Sequence, residues 1–463
     1  MVRVVLPLLT VAACSVAADQ TKIHPRLLRE LAVAAGANIV VEFKGRADEV
    51  LAKAGPESTT SLAEHVYSTL QAHADVSQAA ALHILRNDKL ESASTLKPTS
   101  LWITNSLYIP GATQAVADAL AKLPEVLAVR HEDVLTLDLP TVVDAATNVT
   151  AEWGVAKTQA PLVWAEGFTG AGVVVGSIDT GVRGTHEALR SNFRALHGWY
   201  DPTAQLAEPS DTHGHGSHTL GSAVGGLGVG VAPDAKWIAC RGCPGGSCPE
   251  SALVACAQFM VCPTDVHGAN PRCDLKPHVV TNSWGSTVDW PFKKAIVDAW
   301  RAAGILPVFS IGNSGPSCSS VGYPGGYANV IGVGATDDAD ALGYFSSKGP
   351  TADGRMKPDL SAPGVRVTSC GATGDAAYVS MSGTSMAAPH VAGAIALLIS
   401  AKPGISYDEV YMLLTTTAET KSLANDASTC GGLPGTAYPN NNFGHGRLDI
   451  LGAIEKLVAK PAC

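Results

Sequence analysis

Three histidines, His213, His215 and His218, fall within six residues of the stretch DTHGHGSHTLG, Asp211 to Gly221. Neutral imidazoles at this H-x-H-x-x-H spacing can ligate zinc. One imidazole alone can instead act as a base for a serine hydroxyl, a poor nucleophile near neutral pH. The two chemistries need different companions. A metal needs further ligands. A base needs a nucleophile, a carboxylate to fix its tautomer and a donor for the oxyanion.

Those companions have to be held by regular elements. From Trp153 onward, short apolar runs alternate with helical patterns. Val173 to Ile178, Trp237 to Cys240, His278 to Thr281, Leu306 to Ile311 and Val330 to Val333 read as strands buried on both faces. Helices are expected at Pro249 to Met260, Pro291 to Ala303, Thr384 to Ser400, Tyr407 to Thr417 and Arg447 to Ala459. The alternation predicts an α/β fold, a doubly wound and mainly parallel sheet. Ligands bind beyond the carboxyl ends of such strands. Asp179 follows the first run in SIDTG, and Asn313 follows another in SIGNSG. Ser283-Trp284-Gly285 follows a third. Ser385 stands in the first turn of the late helix in SMSGTSMAAPHVAGAIALLIS. Free N–H groups and partial positive charge gather at that helix end. Each motif has a bland reading: SIDTG a strand end with a turn, SIGNSG a Gly/Asn turn, SGTSMAAPH a helix capped by Thr384. D-T-G also marks aspartic proteases, but no second D-T-G occurs.

The 463 residues are 46% hydrophobic and 16% charged, enough apolar material for a sizeable core. Net charge is −9, without a Lys/Arg run, so nucleic acid is not an expected partner. Residues 1–18, MVRVVLPLLTVAACSVAA, have the charged start, short apolar core and small residues of a cleaved secretory signal. The apolar core is too short for a membrane anchor. Eleven cysteines occur; Cys14 leaves with the signal, and the other ten all lie from Cys240 onward. Such a set in an exported chain predicts up to five disulfides. Spacing does not fix the pairing; Cys262–Cys273 and Cys318–Cys370 are working assignments. Buried thiols are the alternative.

Before the α/β region, residues 19–139 read as a small α+β unit. Strands are expected at Asn38 to Phe43, Ser100 to Ile109 and Val126 to Leu137, with helices at Ser61 to Arg86 and Ala112 to Lys122. The stretch 140–152, PTVVDAATNVTAE, lacks periodicity and reads as an exposed linker. It carries a glycosylation sequon at Asn148.

IDTG, HGHGSHTLG, SIGNSG and SGTSMAAPHVAG together resemble the active-site motifs of subtilisin-like serine proteases, in the subtilisin order Asp, His, Ser. The resemblance covers Gly154 to Ala459. The stretch from WIACRG to NSWG is most similar to the branch around bacillopeptidase F. The resemblance implies a secreted serine endopeptidase with Asp179, His215 and Ser385 as triad and Asn313 as oxyanion donor. His218 then becomes structural and His213 a surface or packing residue. Zinc hydrolases of the metallo-β-lactamase type place an acid before their third histidine, where this chain has Ser217. The α+β unit resembles the family's inhibitory propeptide, which implies a zymogen cut within 139–152 and a catalytic domain at 153–463.

Protein or peptide substrates are implied, bound as an added strand against Ser283, Trp284 and Gly285 on one side and the Cys243 to Cys248 loop on the other. Phe309 to Gly312 would line the S1 pocket. These segments hold no Asp or Glu, so uncharged P1 residues are expected. No cofactor and no metal site are predicted, and a monomer is expected. Calcium is possible: the family's ligating insertion after the catalytic histidine is missing, while Asp337, Asp338 and Asp340 form an acidic loop. Disulfides are then expected to carry part of the stability. The rival readings are a metal hydrolase, a non-catalytic binding protein on the same scaffold and a narrowly specific protease.

Overall fold

Seven short strands pair in parallel in a computed structural model, which describes residues 20–54, 61–86, 96–137, 141–145 and 150–459. The signal-like stretch 1–18, Asn148 and Cys463 lie outside the described residues. Across the sheet the strands run Leu360–Pro363, Ile331–Thr336, Leu306–Ser310, Val279–Asn282, Val174–Asp179, Lys236–Arg241 and Trp199–Tyr200. Every neighbouring pair is parallel. The chain enters in the middle at Val174–Asp179, winds outward to one edge, returns, and then builds the other half. The expected doubly wound α/β fold is therefore present. Its switch point lies between Val174–Asp179 and Val279–Asn282.

Helices pack on both faces, as strands apolar on both sides require. Thr384–Ala401 lies across five of the strands and against the helix His215–Val224. It is long and apolar enough to cross a membrane, yet 89% of that stretch is buried, as befits a core helix. Val391, Ile395 and Leu398 join Val175, Val279, Val308 and Val333 in one core. At about 25 cal/mol per Å² of apolar surface, each such side chain contributes roughly 1.5–3 kcal/mol.

The chain divides into two compact units: residues 1–44, 74–100 and 105–132, and residues 45–73, 101–104 and 133–463. The first holds a four-stranded sheet ordered Thr99–Leu101, Ser106–Ala112, Ala37–Phe43, Val126–His131. Leu27, Val116 and Leu120 from two helices pack with its Ile39, Val41, Leu107 and Ile109.

Several boundaries differ from the sequence reading. The strand expected over 100–109 is broken by a 3-10 turn at Trp102–Thr104 and by Asn105, whose φ is 48°. Asn105 holds that left-handed turn by donating to Lys44 O at 2.9 Å. The strand expected over 126–137 splits, and its second piece, Val134–Thr136, pairs with Ser247–Pro249. The stretch read as a linker contains a strand, Thr141–Ala145, antiparallel to Tyr378–Ser382. The last helix begins at Ile450, after the cap Asp449, because Leu448 is held extended by its N–H on Ser361 O. Helices Pro25–Leu31 and Ala47–Ala54 were not expected.

Among the described residues four disulfides form: Cys240–Cys256, Cys243–Cys248, Cys262–Cys273 and Cys318–Cys430. The working assignment Cys318–Cys370 is corrected. Cys370 ends the buried strand Val367–Cys370 as a free thiol, and Cys430 on a C-terminal hairpin reaches Cys318.

Candidate active site

Asp179 is the last residue of its strand, paired with Arg241 on one side, and Ser283 follows Asn282, the last residue of the strand on the other side. Asp179 and Ser283 both stand at the carboxyl ends where the sheet switches direction. Asp179 Oδ1 accepts from Thr180 N at 2.8 Å and lies 2.7 Å from His215 Nδ1. A carboxylate can only accept, so Nδ1 carries the proton and Nε2 keeps a free lone pair. Both side chains are buried, the imidazole 1% exposed and the carboxylate 3%. Burial pulls the His215 pKa down, but the charges of Asp179 and Asp211 and the hydrogen bond outweigh it and leave the group above its ordinary 6.5.

His215 opens the helix His215–Val224, and Gly214 before it takes a φ of 98° that only glycine adopts without strain. Asp211 organises this turn, a role the sequence reading missed. Its Oδ1 accepts from His213 N, Gly214 N and Thr180 Oγ1, and its Oδ2 from Ser217 N and Ser217 Oγ. Burial opposes its charge, yet these donors hold its pKa below the usual carboxylate value. It thus ties the loop after Asp179 to the helix that carries His215. A D-x-x-x-H spacing ahead of the helix was the available signal.

The three histidines do not converge. His218 is buried with Nε2 on Val367 O at 2.9 Å, and burial drags its pKa to about 3. His213 lies edge-on to His215, ring centroids 6.2 Å apart. No group of metal-ligating atoms among the described residues includes them.

Ser385 is the second residue of the helix Thr384–Ala401 and 7% exposed. Its Oγ donates to Ser283 O at 3.4 Å rather than to His215. Ser283 Oγ in turn donates to Ser385 O at 2.9 Å. That acceptor is free because Pro389, four residues on, has no N–H for it. Ser283 therefore replaces the missing helical bond. Asn313 Oδ1 accepts from Thr384 N at 2.9 Å and from Thr384 Oγ1 at 2.8 Å. A backbone N–H cannot accept, so the amide orientation is fixed and Nδ2 points elsewhere, about 3.8 Å from where a Cβ on Gly383 would sit.

A cleft of ≈ 240 Å³ joins these groups, lined by Ser283 to Thr287, Ser310, Gly312, Asn313 and Ser385, with no carboxylate among its lining residues. Strand alternation turns Phe309 and Ile311 into the core and leaves Ser310 and Gly312 to the cleft. Trp284 lines the cleft but is only 2% exposed, its indole edge-on against Phe309 at 5.3 Å. Thr136 and Leu137 also enter the cleft: Val134–Thr136 pairs with Ser247–Pro249, and Leu137 N donates to Gly246 O at 2.9 Å. The Cys243–Cys248 disulfide closes the loop that presents this edge, and Cys243 N donates to Asp179 O.

The acidic loop is internally committed. Asp340 binds Arg447 and Lys157, Asp338 binds Arg366, and Asp337 accepts from Ala339 N and Ala341 N.

A helix-end hydroxyl and an oriented amide line one open groove, and a buried carboxylate–imidazole pair is held on a separate helix start; these are the group types that acyl transfer uses. The comparisons agree. Bacillopeptidase F of Bacillus subtilis (strain 168) is 34% identical over 425 residues, 84% of this chain, though the chain spans only 28% of that protein. Subtilisin BL of Lederbergia lenta is 35% identical over 279 residues, 59% of this chain and 93% of its own length. The model of the Subtilase family matches residues 170–446, which include Asp179, His215, Asn313 and Ser385, and the chain belongs to that family of subtilisin-type serine proteases.

Proposed function

We propose that the protein is a secreted serine endopeptidase, made as a self-processed zymogen, that cleaves proteins broadly with a preference for uncharged P1 residues. The observation that carries the reading is the buried Asp179–His215 hydrogen bond of 2.7 Å, in a chain that also holds a serine in a helix's first turn. Ser385 Oγ turns from Ser283 O to His215 Nε2, loses its proton there and attacks the scissile carbonyl. Asn313 Nδ2 and the Ser385 N–H meet the oxyanion. The imidazolium, stabilised by Asp179, returns the proton to the leaving amine. Water then repeats the sequence on the acyl-enzyme.

The zymogen reading is supported by the strand Val134–Thr136, which already lies in the groove as a substrate strand would. Leu137 is in the cleft, while Thr141 pairs with Ser382, three residues before Ser385. The self-cleaved bond is therefore expected between Leu137 and Thr141. Residues 19–139 act as the propeptide, and 153–463 form the catalytic domain. Export is supported by the signal-like stretch 1–18 and by four disulfides.

Intact mass with and without a fluorophosphonate tests the nucleophile. One adduct, indifferent to chelator and lost in Ser385→Ala, is expected, and the untreated mass reads the cut directly. A chain that has lost its first part and still takes no label would sink the proposal.

The Ser283 and Pro389 pair gives a second test. Ser283→Ala strips Ser385 O of the Ser283 hydroxyl and is expected to cost about 1–1.5 kcal/mol, roughly tenfold in kcat. Adding Pro389→Ala restores an N–H at that position and is expected to recover most of the loss. Losses that simply add in the double variant would show that the two residues are not linked.

A further inference from the structure

Lys293 breaks two local rules at once. It is 0% exposed, and it sits in the first turn of the helix Pro291–Ala302, where the helix dipole disfavours a cation. Its compensation is specific. Nζ donates to Ser286 Oγ at 2.6 Å, to Val288 O at 2.8 Å and to Tyr323 O at 3.2 Å. The ring of Trp290 lies 4.7 Å away. These acceptors belong to two backbone segments that bound the cleft: Ser286 and Gly322, the neighbour of Tyr323, both line it. The segments also pair directly, Ser286 N on Tyr323 O and Tyr323 N on Ser286 O. Gly285 is pressed against the same carbonyl, which a Cβ there would meet at 2.8 Å.

We propose that Lys293 is a positioning residue for substrate, a buried ammonium that clips the Ser286–Val288 wall of the cleft to Tyr323 and so sets the room available to a P1 side chain. The proposal rests on the serine-protease reading. A lysine serves here because three rotatable donors can reach three oxygens on separate segments from one point.

The clip is also sensitive to proton loss. Burial pulls the Lys293 pKa down to about 7, against the raising influence of Asp289 and Asp133. Asp289 is itself bonded to Tyr327 Oη, and Tyr323 stands beside it; Lys294 points away to Asp298. An ammonium has three hydrogens for its three acceptors. A neutral amine has two, so one bond to the wall is lost as pH rises through this range.

The test measures kcat and KM of the mature protein against peptides differing only in P1, from alanine to phenylalanine, between about pH 6 and 9 in steps of about half a unit. Wild-type KM for the phenylalanine peptide is expected to rise with pH through about 7, with a smaller change for alanine. Lys293→Met is expected to raise KM for the large P1 about fivefold at acid pH, with kcat within about twofold, and to abolish the pH dependence of KM. Ser286→Ala, which removes one acceptor and keeps the lysine, is expected to give a smaller rise in KM and keep the pH dependence. It also covers the case in which Lys293→Met does not fold. Unchanged KM in either folded variant, or an equal fall in kcat for all peptides, would overturn the proposal. Fluorophosphonate labelling of wild type separates this from failure of the underlying reading: no label rejects the nucleophile, whereas normal label with unmoved KM rejects only the clip.

Discussion

Ser385→Ala, His215→Ala and the double variant are expected to lose turnover to the same extent, about 10⁶-fold, as these partners do in subtilisin itself. The reason lies in their interdependence. His215 Nε2 has a free lone pair because Nδ1–H is held by Asp179 at 2.7 Å, and that lone pair is useful only if a hydroxyl can turn to it. Removing either partner idles the other, so the second substitution costs almost nothing more. The residual rate comes from the oxyanion donors and the groove. Each variant is expected to remain uncut before Thr141, so kcat is read on chain matured in trans by an unrelated protease. Wild-type activity is expected to fall as pH drops, because the reaction needs neutral His215 and its pKa stands above the ordinary value. The acid limb should therefore lie above about 6.5 and move down in Asp179→Asn, which removes the neighbouring charge. Losses that multiply in the double variant would break the assignment of the pair.

What was legible in the sequence was what depends on local chemistry. Asp179 and Asn313 followed apolar runs that became parallel strands, Ser385 opened the strongest apolar helix, and Asn313 accepts from Thr384 beside Ser385. What was not legible depends on partners far away in the chain. The stretch 140–152 has no periodicity of its own, but the unpaired edge of Tyr378–Ser382 makes a strand of Thr141–Ala145. Cys318 gives no hint that its partner lies 112 residues on at Cys430, while Cys262 and Cys273, only 11 apart, do. Asp211 was given no role because the side chains it serves, Thr180 and Ser217, come from both sides of the site. Trp284 stands in a stretch expected to meet substrate, yet its indole packs edge-on against Phe309. Helix ends were wrong where tertiary bonds compete with the helix, as at Leu448.

Asn313→Ala is expected to lower kcat by about 10²–10³-fold with little change in KM, the loss measured for this kind of donor in subtilisin. The structure gives the expectation a sharper form. Thr384 donates both its N–H and its hydroxyl to Oδ1, so the amide orientation is set before substrate arrives, and Asn313 lines the cleft. Such a group has no reorganisation left to do when charge develops on the substrate oxygen. Asn313→Asp keeps an acceptor for both Thr384 donors and nearly the same volume, but it replaces the Nδ2 donor with a second carboxylate oxygen. That oxygen would repel the oxyanion. The aspartate variant is therefore expected to be at least as slow as the alanine variant while unfolding nearer to wild type. Alanine leaves the Thr384 N–H and hydroxyl without their partner and is expected to cost about 1–2 kcal/mol of stability. Thermal unfolding and single-turnover acylation measured on both variants separate the two effects. An aspartate variant faster than the alanine one would mean that Asn313 acts by holding Thr384 and the helix start, and that the oxyanion is met by the Ser385 N–H alone.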